Sequence, residues 1–553
     1  MKTKRTNFII KPFWAIIITL SLFGILTGIL GFIKEGENSA NSIYTTFQMF
    51  ILHHSFHGHI NGWLELSRWS IFFVFILSTW KVFITITAPR FIQYVKIRLF
   101  YHDHIVICGL NAICIKLIEK FPESKIVVIV EENNQHAESL KQRKIKLVVG
   151  NLADKHVLKT AGIDKASQFY AITDNDVKNV EIAQSVFAFF ENEKSKNVLK
   201  CFVLVKDREL KTLIEETTLF KYKTGNFDGI LININEMGVK YGICMNIDKI
   251  LPANMKTSPE ILVVGLTEKA ENVILNLAHC LTMQRDFFRF TVVEKDEEIK
   301  KSFKEKYYYL WDFAEIEFAG EIKKVCVEKI FDSILVCAEN QTEAIKQSVA
   351  IRYYLGKNVP AIFVFCDETD MSDKIFNKEG KLNIKGEKEV FTLKDRNIFP
   401  IDLFEKIADY VFVLDESIEK NAFMAHNFWN KLYGEKKEYN EMSGHLRQTN
   451  RNQILDNFLR SFIALGKSFN AAQESLVSFS DKDKETLAIM EHRRWMIEKF
   501  ENGWRTGKRV KPDEFKRHDC LIEWDKLPEN KKTKDFDAID LMLHLLNSQK
   551  NEN

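Results

Sequence analysis

The sequence predicts two transmembrane α-helices, then an α/β body of tandem doubly wound parallel sheets, then a mainly α-helical C-terminal module. Three observations carry this reading: two long apolar runs near the N-terminus, a pattern of strand, turn, helix and strand that occurs twice, and a change after about residue 415 to helical, charged sequence. A length of 553 residues exceeds what one hydrophobic core organises, so several domains are expected. With 78 Lys plus Arg against 75 Asp plus Glu, a net charge of +3, no global field draws the chain onto nucleic acid, and none is expected as a partner. The nine cysteines include no C-x-x-C pair and no metal-ligand spacing. Cys108, Cys201, Cys337 and Cys366 lie inside apolar runs and read as small buried hydrophobes of a reducing compartment.

Residues 13–33, FWAIIITLSLFGILTGILGFI, hold 21 residues without a charge, matching the roughly 20 needed to cross a bilayer. A signal peptide has an apolar region of only about 7 to 15 residues before a small-residue cleavage site, whereas this run is longer and ends in GFIKEG. A second span is predicted over residues 69–88, apolar except for Lys81, whose stem is long enough to carry its ammonium to the interface. Lys2, Lys4, Arg5 and Lys11 precede the first span, and Arg90, Lys96 and Arg98 follow the second. The positive-inside rule then predicts a multi-pass protein of the inner (plasma) membrane with both termini in the cytoplasm.

Between the spans, residues 43–52 (IYTTFQMFIL) are apolar but about half the length needed to cross, the size of a re-entrant helix. Helix, short helix and helix before a cytoplasmic body resembles the pore unit of two-span tetrameric cation channels. That resemblance makes Thr46, Gln48, His53 and His54 the candidate pore residues. Potassium channels continue with a TVGYG-like filter, whereas this chain reads HHSFHGHINGW. The cluster His53, His54, His57 and His59 reads first as a polar extracytoplasmic loop, with metal binding or pH sensing as the alternative.

Residues 104–109 (HIVICG) predict a buried strand, 112–121 a helix, and 126–130 a second strand ending in Glu131. The turn runs from Gly109 through Asn111 to Cys114 where a dinucleotide fingerprint has G-x-G-x-x-G, so only the glycine of the tight turn is kept. Glu131, about 20 residues on, stands where a ribose hydroxyl is read. A strand at 147–149, the stretch GNLADKHVLKTAGIDKASQFYAITDND over 150–176, a long helix and a strand at 203–205 follow. Residues 104–207 resemble the domain that regulates potassium conductance in channels and Trk-type transporters, through the KTAGIDKASQFYAITDND match. The resemblance implies a Rossmann-like sheet, an adenine nucleotide or NAD(H) as ligand, and pairing of subunits into gating rings. The candidate binding residues are Gly109, Asn111, Cys114, Glu131, Asn151, Thr173 and Asp174, with Asn151 replacing the usual Asp of the turn.

The pattern repeats: ILVVGL at 261–266, a strand at 290–293 ending in Glu294, and FAGEI before a strand at 333–338. Without glycines after Gly265, this second copy is expected to pair with the first and bind nothing. The expected divisions are a membrane domain over 1–100, Rossmann-like domains over 101–255 and 256–415, a helical linker over 416–480 and a terminal module over 481–553.

That last module resembles the Ry repeat of ryanodine receptors. The matching residues run through LAIMEHRRWMIEKFENGWRTG, then Arg517-His518 and a WDKLP run ending at Pro528, with Asp519 where bacterial copies often have Pro. Trp495, Trp504 and Trp524, with Arg494, Arg505, Lys508, Arg509 and Lys511, suit stacking on a base and pairing with phosphate. His492 and His518 complete the candidate ligand set, and tryptophans that serve only as core are the alternative.

The sequence contains no nucleophile elbow, H-E-x-x-H or Walker loop, so catalysis is not expected. The leading expectation is a ligand-gated cation channel, with potassium one candidate ion, assembling as a homo-oligomer, a tetramer by the resemblance. A nonconducting membrane-anchored nucleotide sensor and a regulatory subunit of a separate transporter are the alternatives.

Overall fold

The computed structural model describes residues 3–50, 60–132, 134, 136–137, 140, 143, 145–192, 197–221, 223–251, 259–281, 288–356, 360–367, 397–434, 438–465, 476–508 and 515–548. The chain divides into two compact units, Met1–Phe100 and Tyr101–Asn553.

The first unit is three helices: α1 (Thr3–Lys34), α2 (Ser39–Phe50) and α3 (Gly62–Phe100). Two stretches are long and apolar enough to cross a membrane, Trp14–Lys34 with mean hydropathy 2.5 and Gly62–Phe83 with 1.3. The second begins seven residues before the predicted 69, because Asn61 starts the helix early, its Oδ1 accepting from the Trp63 and Leu64 amides at 3.1 Å. Likewise α2 starts at Ser39 rather than 43, since Asn38 Oδ1 accepts from the Asn41 amide at 2.8 Å. At 1.5 Å per residue the 12 residues of α2 reach only about 18 Å, short of a bilayer core. Large apolar side chains face outward on both long helices, among them Leu22, Phe23 and Leu26 on α1 and Trp69, Phe73 and Trp80 on α3.

Small residues let these helices approach closely. A Cβ at Gly28 would lie 2.6 Å from the Thr46 methyl and 2.8 Å from Ser67 Oγ, and one at Gly31 would lie 2.6 Å from Leu64 Cγ. The Ser67 hydroxyl donates to the Gly24 carbonyl at 2.7 Å, and Asn61 Nδ2 donates to the Gly31 carbonyl at 2.9 Å.

The second unit holds two six-stranded parallel sheets. The first comprises β1 (His104–Cys108), β2 (Ile126–Val130), β3 (Lys146–Val149), β4 (Ala166–Ala171), β5 (Leu199–Leu204) and β6 (Phe227–Ile232), in the order β3-β2-β1-β4-β5-β6. The second comprises β7 (Glu260–Val264), β8 (Phe288–Val293), β9 (Ala314–Ala319), β10 (Ser333–Val336), β11 (Ala361–Cys366) and β12 (Ile398–Asp402), in the order β9-β8-β7-β10-β11-β12. Both have the doubly wound Rossmann order, with a switch point between the first and fourth strands. The buried strands are continuous apolar runs such as IVVIV, as expected where helices cover both faces.

The copies exchange their last helices. Leu403–Val413, after β12, packs on α4 (Ala112–Lys120) of the first copy, with Lys120 Nζ 2.5 Å from Asp409 and Phe121 against Phe412 at 5.4 Å. Val239–Ile250, after β6, packs on Glu268–Leu281 of the second copy, and the exchanged helices meet at Tyr241 and Tyr410. One apolar core therefore runs through both copies.

Within the region expected as a linker, Gly444–Leu465 is a packed helix, with Ile454, Leu455 and Leu459 buried. Its charges are internal as well. Arg447 clamps Asp228 of β6 with two bonds of 2.8 and 2.7 Å. Asp456 meets Lys240 at 2.7 Å, and Arg460 pairs with Glu491. The terminal module packs Asp481–Glu501 against Glu529–Ser548, and Ser480 with Asp483 forms a capping box at the start of the first.

Candidate functional site

The first candidate site lies at the switch point of the first sheet, beyond the carboxyl ends of β1 and β4. Gly109 sits at φ +109°, and a Cβ there would lie 2.3 Å from the Ile172 carbonyl oxygen. The turn therefore needs glycine for both conformation and space. Asn111 caps α4, its Oδ1 accepting from the Cys114 amide at 3.1 Å and its Nδ2 donating to Asp174 at 3.0 Å. This occupies one of the helix N-terminal amides that would otherwise hold a phosphate. Cys114 is buried, donates to the Ile172 carbonyl at 3.2 Å, and has its thiol pushed up to about 12 by burial. It packs helix to strand, as the third fingerprint glycine would.

Glu131 extends from β2 into solvent and is ion-paired with Lys178. Thr173 is held by Asn179, whose Oδ1 accepts from both its amide and its hydroxyl at 2.7 Å. Asp174 is exposed, and Asn151 is exposed with its Oδ1 on the Ala153 amide at 3.1 Å. The structure thus brings Gly109, Asn111, Cys114, Thr173 and Asp174 together around one turn. Glu131 joins that turn through Lys178, three residues beyond Asn175 on the same loop and helix.

In the terminal module His492 is buried between two acceptors, with Nε2 2.9 Å from the Ile522 carbonyl and Nδ1 3.2 Å from Asp535. Burial alone would lower its pKa, but Asp535 and the carbonyl outweigh burial and raise it above the ordinary 6.5. Burial likewise raises the Asp535 carboxyl despite the histidine. Arg494 is buried and bonded to Glu491 at 2.8 and 2.9 Å and to Glu498 at 2.6 Å. Trp524 is buried in a cluster with Leu487, Met490 and Leu527. Trp495 and Trp504 are half-buried and flank His518 at 5.0 and 6.2 Å, and Lys499 lies over the Trp504 ring at 5.0 Å. Of the seven residues expected to hold ligand, His492, Arg494 and Trp524 pack inside, while Trp495, Trp504 and His518 form an accessible aromatic group. Arg509 lies outside the described residues, as does Lys511.

In the N-terminal unit Thr46 is buried, its methyl against Gly28 and its hydroxyl donating to the Ser42 carbonyl at 2.7 Å. Gln48 is half-buried two residues on. His53 and His54 lie outside the described residues.

Sequence reasoning missed Lys178 and Asn179, which stand just past the matched stretch that ends at Asp176. It also missed Asp456 and Arg460, which stand as isolated charges among the apolar residues of the helix's second half.

The fold and the turn geometry define a chain with tandem Rossmann-type sheets joined to a helical module. Residues 105–218 match the family model of the TrkA-N domain, and residues 467–549 match that of the RyR domain. No curated protein matches the chain in sequence. Among solved structures, the GsuK channel bound to NAD is 12% identical, covering 75% of this chain and 86% of that one at a TM-score of 0.40. GsuK bound to ADP is 14% identical, covering 74% and 98% at 0.39. The human SLO3 gating ring is 9% identical, covering 57% and 84% at 0.39. Likenesses of this degree carry no functional argument.

Proposed function

We propose that this chain is a subunit of a ligand-gated cation channel, with potassium one candidate ion, whose TrkA-N and RyR domains sense a nucleotide-type ligand. One observation carries the reading: a TrkA-N domain shares its chain with two helices of membrane-crossing length that enclose a helix too short to cross. A plain tether needs one span and no short helix between two, whereas a pore needs this set repeated around an axis. The reading includes a homo-oligomer, a tetramer by the pore-unit resemblance, in the plasma membrane with both termini cytoplasmic. It includes no catalytic step.

An adenine nucleotide or NAD(H) is the expected ligand class. It acts by binding one state of the cytoplasmic assembly more tightly than the other, and shifts the gate by that difference. A change from 1:99 to 99:1 takes roughly 5.5 kcal/mol, which four subunits supply at about 1.4 kcal/mol each.

The second reading, a nonconducting membrane-anchored sensor or the regulatory subunit of another transporter, is favoured by HHSFHGH standing where a TVGYG-like filter is needed. Rubidium uptake into proteoliposomes holding the purified chain, with and without ADP or NAD, separates the two. Uptake that changes with nucleotide supports the channel, and nucleotide binding without uptake supports the sensor.

A further inference from the structure

A cavity of about 610 Å3 opens where all parts of the second unit meet. That volume is within the roughly 300–1,000 Å3 of small-molecule sites. Its walls come from Arg208–Glu215 after β5, from Val239–Ile250, from the second copy through Tyr307 and Tyr309, from Gly444–Leu465, and from the RyR domain through Glu501 and Lys516.

Two features suit it to an anion. First, three carboxylates on the wall are ion-paired: Glu236 has Lys211 at 2.5 Å, Glu498 has Arg494 at 2.6 Å, and Asp456 has Lys240 at 2.7 Å. Exposed Glu209 and half-buried Glu215 are screened by water. Second, two wall cations are bonded only to neutral groups among the described residues. Arg208 donates to the Tyr307 hydroxyl at 2.7 Å, and Lys516 donates to the Asn502 carbonyl at 3.0 Å. Lys516 also holds φ +44°, a left-handed conformation that a non-glycine residue rarely adopts.

A third, independent feature is Tyr309. It lines the cavity, is 2% exposed, and its hydroxyl has no hydrogen-bond partner among the described residues. Its ring is fixed by stacking on Phe500 of the RyR domain at 5.5 Å. A buried hydroxyl left unpaired is costly, so an acceptor entering the cavity gains from it.

We propose that this cavity binds a small phosphate-bearing ligand, with Arg208 and Lys516 holding the phosphates and the Tyr309 hydroxyl donating to it. Arg208 belongs to the TrkA-N match and Lys516 to the RyR match, so the ligand bridges the two domains and favours the arrangement in which both reach it. The proposal rests on the sensor reading only where occupancy is expected to reach the membrane.

The test is calorimetry on the full chain in detergent, with ADP and with inorganic pyrophosphate as a probe lacking the base. Wild type is expected to bind ADP. Arg208→Gln and Lys516→Gln are each expected to weaken it about tenfold, the usual weight of a charged hydrogen bond, and Tyr309→Phe several-fold. Arg208→Lys is expected to retain part of the affinity, with thermal melts showing that each variant is folded. Pyrophosphate binding as tightly as ADP makes phosphate alone the ligand chemistry, and weaker binding makes it a nucleotide; both sustain the site. No binding of either probe, or folded Arg208→Gln and Lys516→Gln variants that bind like wild type, overturns it. Flux that responds to ADP equally in wild type and these variants removes the cavity but leaves the sensor reading. ADP bound at the cavity without effect on flux does the reverse.

Discussion

The tightest single-residue constraint is at Gly109, where a side chain meets the Ile172 carbonyl at 2.3 Å in a left-handed turn. Gly109→Ala is expected to destabilise the first sheet by about 2 kcal/mol or more, read as a lower denaturant midpoint with no change in the N-terminal unit. His492 gives a pH signature. Its folded pKa is raised, so its contribution is complete below the unfolded value near 6.5 and is lost as pH rises through the folded value. Thermal melts should show the RyR domain weakening as pH rises above about 6.5, and His492→Gln should flatten that slope. A slope of equal size in the variant would place the titration elsewhere. The need for glycine at Gly109 was legible because it follows a buried strand at the fingerprint position. The Glu131 pairing was not, because Lys178 is 47 residues away and only the fold brings them together. Tryptophans have the same difficulty: Trp524 and Trp504 are alike in sequence, and only packing separates the buried ring from the half-buried one.

At the scale of elements, Gly444–Leu465 joins the modules through buried charge. Arg447 and Arg451 lie 40° apart around the helix at 100° per residue, and Asp456 and Arg460 lie on the opposite side. One side grips Asp228 of the first sheet and Glu419, and the other grips Lys240 and the RyR domain. Removing one partner strands the other without water, so Arg460→Met is expected to cost about 3 to 5 kcal/mol. Arg460→Met with Glu491→Leu should cost less than the single changes together, and a fully additive pair would deny the coupling. Burial raises the Asp456 carboxyl, but Lys240 and Arg494 outweigh this and bring it down from 3.8 to about 2. Its stabilisation is therefore present above pH 3.8 and lost as pH falls towards 2. Both sheets were legible from their apolar strands and matching turns. The exchange of last helices was not, since Leu403–Val413 and α4 are almost 300 residues apart and share no pattern that names the other. The role of the connecting helix was hidden for a related reason: charged residues on a helix ordinarily mean a solvated face, and here Arg447, Asp456 and Arg460 are paired inside.

The whole chain has three parts: a unit with a short helix between two helices of membrane-crossing length, tandem sheets sharing one core, and a RyR domain tied to those sheets by ion pairs. The core and the charged helix run through the tandem sheets and the RyR domain. Under the proposed function this chain both conducts and senses. Recording from the purified full chain in a planar bilayer, with ADP added to one side at a time, tests it most directly. The expected result is cation current whose open probability changes when ADP reaches the cytoplasmic face and not when it reaches the other. A folded, ADP-binding protein that passes no current under either condition would contradict it.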